Sequence, residues 1–273
     1  RIALYLNNLE IGGAEHVVLE LGNRFVEQGF MVDFVLGQAK GALLSKVSEG
    51  ARIIDLAIPN AYLGFPSLIR YIQKNAPDAF LAVTELTGLV SILAKLFLSS
   101  RHRVVVALMT TVSRHKRAPI IKKIEHILLS WLYPKADEIV AVSHGVARDF
   151  SDYIGINSNR ITIIYSPIIT SKLLEEALTP VDHPFFQPGQ PPVILGVGRL
   201  SEPKNFPLLI RAFDLVRRRM PTRLLILGEG EQRAATIPPP PLPITTPGRA
   251  TRTSTITRFI ERLIVCDATA AFL

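Results

Sequence analysis

VILGVGRLSEPKNFPLLIRAFDLVRRRMPTRLLILGEGE, residues 193–231, reads as one complete βαβ unit. Val193, Ile194, Leu195 and Val197 make a short, nearly all-apolar run, the pattern of a parallel strand buried on both faces. A polar loop follows from Gly198 to Asn205. Leu209, Ala212, Phe213, Val216 and Met220 then recur at helical spacing, with Arg211, Asp214 and Arg217 to Arg219 opposite them. Pro221 stops the helix, and Leu224 to Leu227 supply a second buried strand that ends in Gly228-Glu229-Gly230. Such a unit puts its first loop at the carboxyl end of the sheet, where open α/β folds bind ligands. Arg199 directly follows the first strand, Lys204 stands five positions later, and a helix amino terminus comes just beyond. A guanidinium, a mobile ammonium and backbone N–H groups together suit a diphosphate. Taken by residue type alone, the same two cations read as solvated loop charges. Their shared loop at the correct end of a strand favours the site.

GVGRLSEPKNFPLLIRAF followed by LLILGEGE closely resembles the donor-binding segment of family 4 glycosyltransferases of the GT-B fold. GGAEHVVLELGNRF near the start, EIVAVSHGVARDF and ITIIYSPI fit the same family, so the resemblance covers roughly residues 1 to 233. It implies that Arg199 and Lys204 contact the diphosphate of a nucleotide-sugar donor, and that no cofactor or metal takes part. It also implies a retaining transfer to a glycan or lipid-linked acceptor, with Arg and Lys neutralising the leaving diphosphate. The family commonly has Asn before the Pro of SPI, so Ser166 is a departure.

At 273 residues the chain can hold two sizeable cores, and 48% hydrophobic with 20% charged residues describes an ordinary globular protein. Cys266 is the only cysteine, which excludes an internal disulfide framework and fits a reducing compartment. The expected location is the cytoplasm, at the inner face of the cytoplasmic membrane. Arg1 lies inside an apolar run, so the sequence reads as trimmed at the front, and no signal peptide is visible. Leu86 to Leu98 is too short to span a bilayer and carries Lys95, which makes it a buried helix.

Short apolar strands are expected at Ile2–Leu6, Met31–Leu36, Arg52–Ile58, Ala79–Val83, Val104–Leu108, Glu138–Val142 and Ile161–Tyr165. Helices fall between them, including Leu43–Glu49 and Ser67–Lys74, so the sheet should be mostly parallel and doubly wound. The expected organisation is α/β, with a complete Rossmann-like acceptor-side domain over 1–170 and a proline-rich linker over 171–192. The first βαβ unit of a second, donor-binding domain follows over 193–233, then an irregular tail over 234–273. Prolines 238 to 241, 243 and 247 and scattered threonines break the βα pattern in that tail, as in a frameshifted or truncated reading frame. The Glu-x7-Glu segment that the family would show is missing, and a short helix is expected over 258–265. By this reading the chain is a glycosyltransferase by ancestry that lacks the full donor pocket, which leaves its own activity open; a non-catalytic remnant that binds acceptor or membrane is the alternative.

In the first half, Gly12-Gly13-Ala14-Glu15 opens a helix after the first strand. A glycine pair there lets backbone approach a ligand and presents N–H groups to an anion, or serves only a tight turn. The resemblance makes this loop line the cleft, with Gly12, Gly13 and Glu15 as candidates. Glu229 either lines the donor pocket, as the resemblance suggests, or caps a turn. His144 opens a helix and reads as structural or cleft-lining. The family often uses a His in the loop after the strand matching Val104–Leu108, and His115 is the candidate catalytic residue. Between Arg114 and Lys116, it reads equally as part of a solvated basic edge.

The net charge is +8, and between Arg101 and Lys135 eight Lys or Arg face the single acid Glu125, a local balance of +7. A basic field of this kind suits an anionic partner. Ile120, Ile121, Ile124, Ile127, Leu128, Trp131 and Leu132 share one helical face, with Lys122, Lys123, His126 and Ser130 on the other and Lys116 and Arg117 just before. The plain reading is a helix packed on the sheet with a solvated basic edge. The functional reading adds peripheral contact of Lys116, Arg117, Lys122 and Lys123 with an anionic membrane. No aromatic-interleaved groove, zinc pattern or RNA-binding signature accompanies the charge, so nucleic acid is set aside. HExxH, GxSxG, P-loop and GxGxxG patterns do not occur, which leaves protease, serine-hydrolase, NTPase and nicotinamide readings unsupported.

Overall fold

The computed structural model describes residues 1–58, 64–99, 101–113, 118–233 and 263–266. It divides into two compact units, Arg1–Glu176 and Ala177–Leu273.

Unit 1 is a seven-stranded, wholly parallel sheet: β1 (Ile2–Leu6), β2 (Val32–Leu36), β3 (Ala51–Asp55), β4 (Ala79–Ala82), β5 (Arg103–Leu108), β6 (Glu138–Ala141) and β7 (Ile161–Ile163). Their order across the sheet is β3-β2-β1-β4-β5-β6-β7. The crossovers are α1 (Gly13–Glu27), α2 (Phe65–Asn75), α3 (Glu85–Leu98), α4 (Pro119–Leu132) and α5 (His144–Ile154). β1 and β2 are buried along nearly their whole length because they are almost wholly apolar, whereas β3 at the sheet edge carries Arg52 and Asp55 and is largely exposed. β1 gives Ala3 and Tyr5 to a core with α2, α3, α4 and α5, and Leu4 and Leu6 to a second core with Val18 and Leu19 of α1. Winding reverses between β1 and β4, whose following helices cover opposite faces. The crevice at their carboxyl ends is where such sheets hold ligands.

Expected helix Leu43–Glu49 reduces to a single 3₁₀ turn, Leu44–Lys46. Local helix loses to a tertiary tie: the Leu9 amide donates to the Lys40 carbonyl and the Leu43 amide to the Leu9 carbonyl, so this backbone is held against the β1 loop.

A larger correction concerns α4. Its apolar face was expected against the sheet, yet only Glu125, Leu129 and Leu132 are buried, and Ile120, Ile121, Ile124, Ile127, Leu128 and Trp131 are all exposed. Leu129 and Leu132 already seat the helix against the core, which leaves the wider stripe facing solvent. Among the described residues no helix is long and apolar enough to cross a membrane.

Between Ile163 and Val193 lie α6 (Ser171–Ala177) and a 3₁₀ turn, Pro184–Phe186. Unit 2 contains β8 (Val193–Val197), α7 (Phe206–Arg217) and β9 (Arg223–Leu227), with β8 and β9 parallel. Phe206, Phe213, Leu200, Leu224 and Ile226 form its core, and Leu195 and Val197 are exposed. Residues 263–265, expected as the end of a helix, instead belong to β10 (Leu263–Cys266), antiparallel to β9. An apolar, partly β-branched LIVC run suits the open edge of β9 better than a single helical turn. Residues 258–262 of that expected helix lie outside the described residues.

Candidate functional site

Two sets of sequence candidates sit at carboxyl ends of strands, one in each unit. In unit 2 the loop after β8 carries Arg199 and Lys204. It is zipped to the loop after β9: the Gly198 amide donates to the Leu227 carbonyl, the Leu200 amide to the Glu229 carbonyl, and the Gln232 amide to the Leu200 carbonyl. Only glycine permits this approach at Gly228, where a Cβ would lie 1.8 Å from the Gly198 carbonyl oxygen.

The amides of Ser201, Lys204 and Asn205 are taken by the carbonyls of Arg199, Ser201 and Glu202. Pro207 removes another donor from the start of α7, and Asn205, at φ 48°, sits in the left-handed region just before it. Anion recognition in this loop therefore falls on side chains more than on a helix terminus. Arg199 and Lys204 are both exposed, and the Arg199 Nε lies 3.5 Å from Glu231 Oε2. An ion pair this exposed is worth under about 1 kcal/mol, so a multiply charged anion can displace the carboxylate. Glu229 is paired with Arg233. Sequence reasoning missed Glu231 as the partner of Arg199; the signal was its place in the loop four residues after β9.

In unit 1, Gly12 caps α1 with extended backbone, and the His16 amide and ring Nδ1 both meet its carbonyl, the ring at 2.9 Å. Glu15 stands in the first turn with its carboxylate folded over Gly12: a Cβ there would sit 2.1 Å from Oε2. A Cβ on Gly13 would meet nothing within 4 Å. Gly12, Gly13 and Glu15 are thus brought together at one lip of the crevice between β1 and β4.

The other lip is α3. Thr84 caps it in a reciprocal arrangement with Thr87, and Glu85 in its first turn is 7% exposed. The Tyr133 hydroxyl donates to the Glu85 backbone carbonyl at 3.0 Å, and burial holds that phenol well above its usual pKa. Glu85 was also missed. Its signal was the one read at Glu15, a carboxylate opening a helix just after a buried strand.

Ser143 caps α5 and leaves His144 exposed in the first turn. His115, Lys116 and Arg117 lie outside the described residues. Ser113, just before them, is tied down: its amide and hydroxyl donate to Asp149 of α5, and Lys122 Nζ donates to its carbonyl at 3.0 Å. Lys123 is exposed on α4.

Residues 11–172 match the family model described as Glycosyltransferase Family 4. A curated Campylobacter jejuni protein is 27% identical over 241 residues, covering 84% of this chain. It is named N-acetylgalactosamine-N,N'-diacetylbacillosaminyl-diphospho-undecaprenol 4-alpha-N-acetylgalactosaminyltransferase, and this chain spans 63% of its length.

Solved structures with the same fold include the lipopolysaccharide outer core galactosyltransferase WaaB in its apo form, at TM-score 0.57 and 16% identity, covering 86% of this chain and 62% of that one. Anabaena Alr3699/HepE in complex with UDP matches at TM-score 0.60 and 16% identity, covering 84% of this chain and 61% of that one. Sucrose-phosphate synthase from Thermosynechococcus elongatus matches at TM-score 0.59 and 17% identity, covering 83% and 62%. The fold is α/β of the GT-B kind, a complete Rossmann-like sheet domain followed by the opening βαβ unit of another. With more than half of its residues matched by the family model, the chain belongs to Glycosyltransferase Family 4.

Proposed function

We propose that this chain serves the transfer of a sugar from a nucleotide-diphosphate donor to a glycan or lipid-linked acceptor, at the inner face of the cytoplasmic membrane. The observation that carries the reading is the pair Arg199 and Lys204 on one loop at the carboxyl end of β8, in a member of this family. Two exposed cations there can hold both phosphates of the donor and neutralise the charge that grows on the diphosphate as the sugar–phosphate bond breaks. Side-chain cations then do what a divalent ion does in other transferases. The name of the Campylobacter relative supports a lipid-diphosphate-linked acceptor, and its α-linkage is what retention gives from an α-configured donor. In this reading the acceptor lies along unit 1, where Gly12 and Gly13 let it approach the backbone and Glu15 offers a carboxylate.

A second reading is a chain that binds acceptor without transferring sugar. It is supported by the small extent of unit 2, which among the described residues holds a three-stranded sheet. One experiment separates the two. Calorimetric titration of UDP-sugars and UDP into the full chain, beside Arg199→Met and Lys204→Met, is combined with a transfer assay on diphosphate-lipid-linked saccharides. The expected result is nucleotide binding that falls about tenfold in each variant, a loss of about 1.4 kcal/mol. Equal nucleotide affinity in wild type and both variants overturns the assignment of the pair; binding without transfer selects the second reading.

A further inference from the structure

Helix α4 points its apolar stripe away from the protein. Ile120, Ile124, Ile127 and Trp131 follow one another at helical spacing and are 66, 52, 56 and 59% exposed, with Ile121 and Leu128 widening the strip. Scattered surface hydrophobes are ordinary, but a contiguous strip of six large ones on one helix marks a surface that is covered in use. Its borders are cationic. Lys123 is exposed beside Ile127 and Ile120, and Lys135 Nζ sits 4.1 Å over the Trp131 ring.

The charge selects the occupant. A two-fold pairing of this face with a second copy would set the same lysines against each other, which like-charge repulsion opposes. A surface of anionic phospholipid complements them, while the isoleucines and the Trp ring enter the boundary between headgroups and acyl chains. We propose that α4 is an interfacial anchor that lies in the plane of an anionic bilayer and inserts Ile120, Ile124, Ile127 and Trp131. This deepens the membrane-borne acceptor of the proposed function, but it stands on the surface of α4 alone. Its test uses vesicles with neither donor nor acceptor, so its failure leaves the transfer reading in place.

Trp131 is the only tryptophan of the chain, so its emission reports the stripe directly. With phosphatidylglycerol-containing vesicles the expected result is a blue shift, and quenching by lipids brominated in their acyl chains, both weak with pure phosphatidylcholine. Ile124→Asp with Ile127→Asp alters exposed positions only, so the circular dichroism spectrum should hold while vesicle partitioning falls at least tenfold. Unchanged emission on anionic vesicles overturns the proposal. So does a blue shift that disappears on dilution without lipid, which identifies a second copy as the cover, and so does undiminished partitioning of the double variant.

Discussion

At the scale of single residues, the glycine pair of α1 separates a turn requirement from a ligand requirement. A tight turn would reject a side chain whether or not anything is bound. At Gly13 the added Cβ meets no atom, and alanine favours helix over glycine by about 1 kcal/mol. Gly13→Ala should therefore keep or slightly raise the thermal midpoint. If the acceptor approaches this backbone, the same substitution lowers transfer or acceptor binding at least fivefold. Differential scanning fluorimetry beside the transfer assay reads both, and a variant that is stable and fully active leaves Gly13 with neither requirement. At Gly228 the protein itself fills the space, so that position says nothing about ligands. Arg199 shows the limit of reading residue types: its place after a strand is visible in the sequence, but its Glu231 partner exists only once two loops are zipped together.

At the scale of elements, α3 shows how packing decides against propensity. Gly88 lies within this helix, where glycine costs about 1 kcal/mol relative to alanine. A Cβ there would sit 2.6 Å from the Tyr133 hydroxyl and 2.8 Å from Val106 Cγ1, both parts of a closed core. Overpacking costs about 1–3 kcal/mol, so the clash outweighs the gain in propensity. Gly88→Ala should lower the urea midpoint by an amount equivalent to about 1–2 kcal/mol; a rise would show that α3 can shift away from β5.

The strands of both units were legible as short apolar runs between turn signals, and so were α3 and α7; the burial of β8 on both faces was not, since Leu195 and Val197 are exposed. The direction of α4 was not. Periodicity reveals that a helix has an apolar face, but an interior and a bilayer demand the same residues there, so the sequence leaves the two indistinguishable. The 3₁₀ turn at Leu44–Lys46 and the strand at Leu263–Cys266 were misread for a related reason. Each is set by a backbone partner remote in sequence, Leu9 in one case and β9 in the other.

At the scale of the whole molecule, unit 1 has two unlike ends. Glycines, caps and candidate ligand groups gather at the carboxyl ends of its strands, whereas the ionic ties of Asp33 and Asp137 lie at the amino ends. Asp33 of β2 accepts two bonds from Arg52 of β3, at 2.8 and 2.7 Å, and one from the Tyr71 hydroxyl of α2. Burial alone would raise its pKa, but the bonds from Arg52 and Tyr71 outweigh it and leave the carboxyl below its usual range. Asp137 behaves alike: burial pushes up, while Lys95 and the Val104 amide pull it down further. His102, 4% exposed, is held below the usual histidine value by burial and then by Lys95.

These shifts act in the same direction. An unfolded chain takes up a proton on the histidine below about pH 6.5 that the folded chain resists, and on the two aspartates below about pH 3.9. Stability should thus be flat around neutrality, begin to fall below about pH 6.5 and fall more steeply below about pH 4. Asp33→Asn should cost about 2 kcal/mol at pH 7, the worth of hydrogen bonds to a buried charge, and its gap to wild type should narrow below about pH 3.9, where the unfolded wild type takes up the proton that the folded carboxyl resists. Urea midpoints of the far-UV circular dichroism signal from pH 8 to pH 3 test both statements. A protein that gains stability on acidification, or a variant whose deficit widens toward pH 3, would mean that these ties do not hold the amino end of the sheet together.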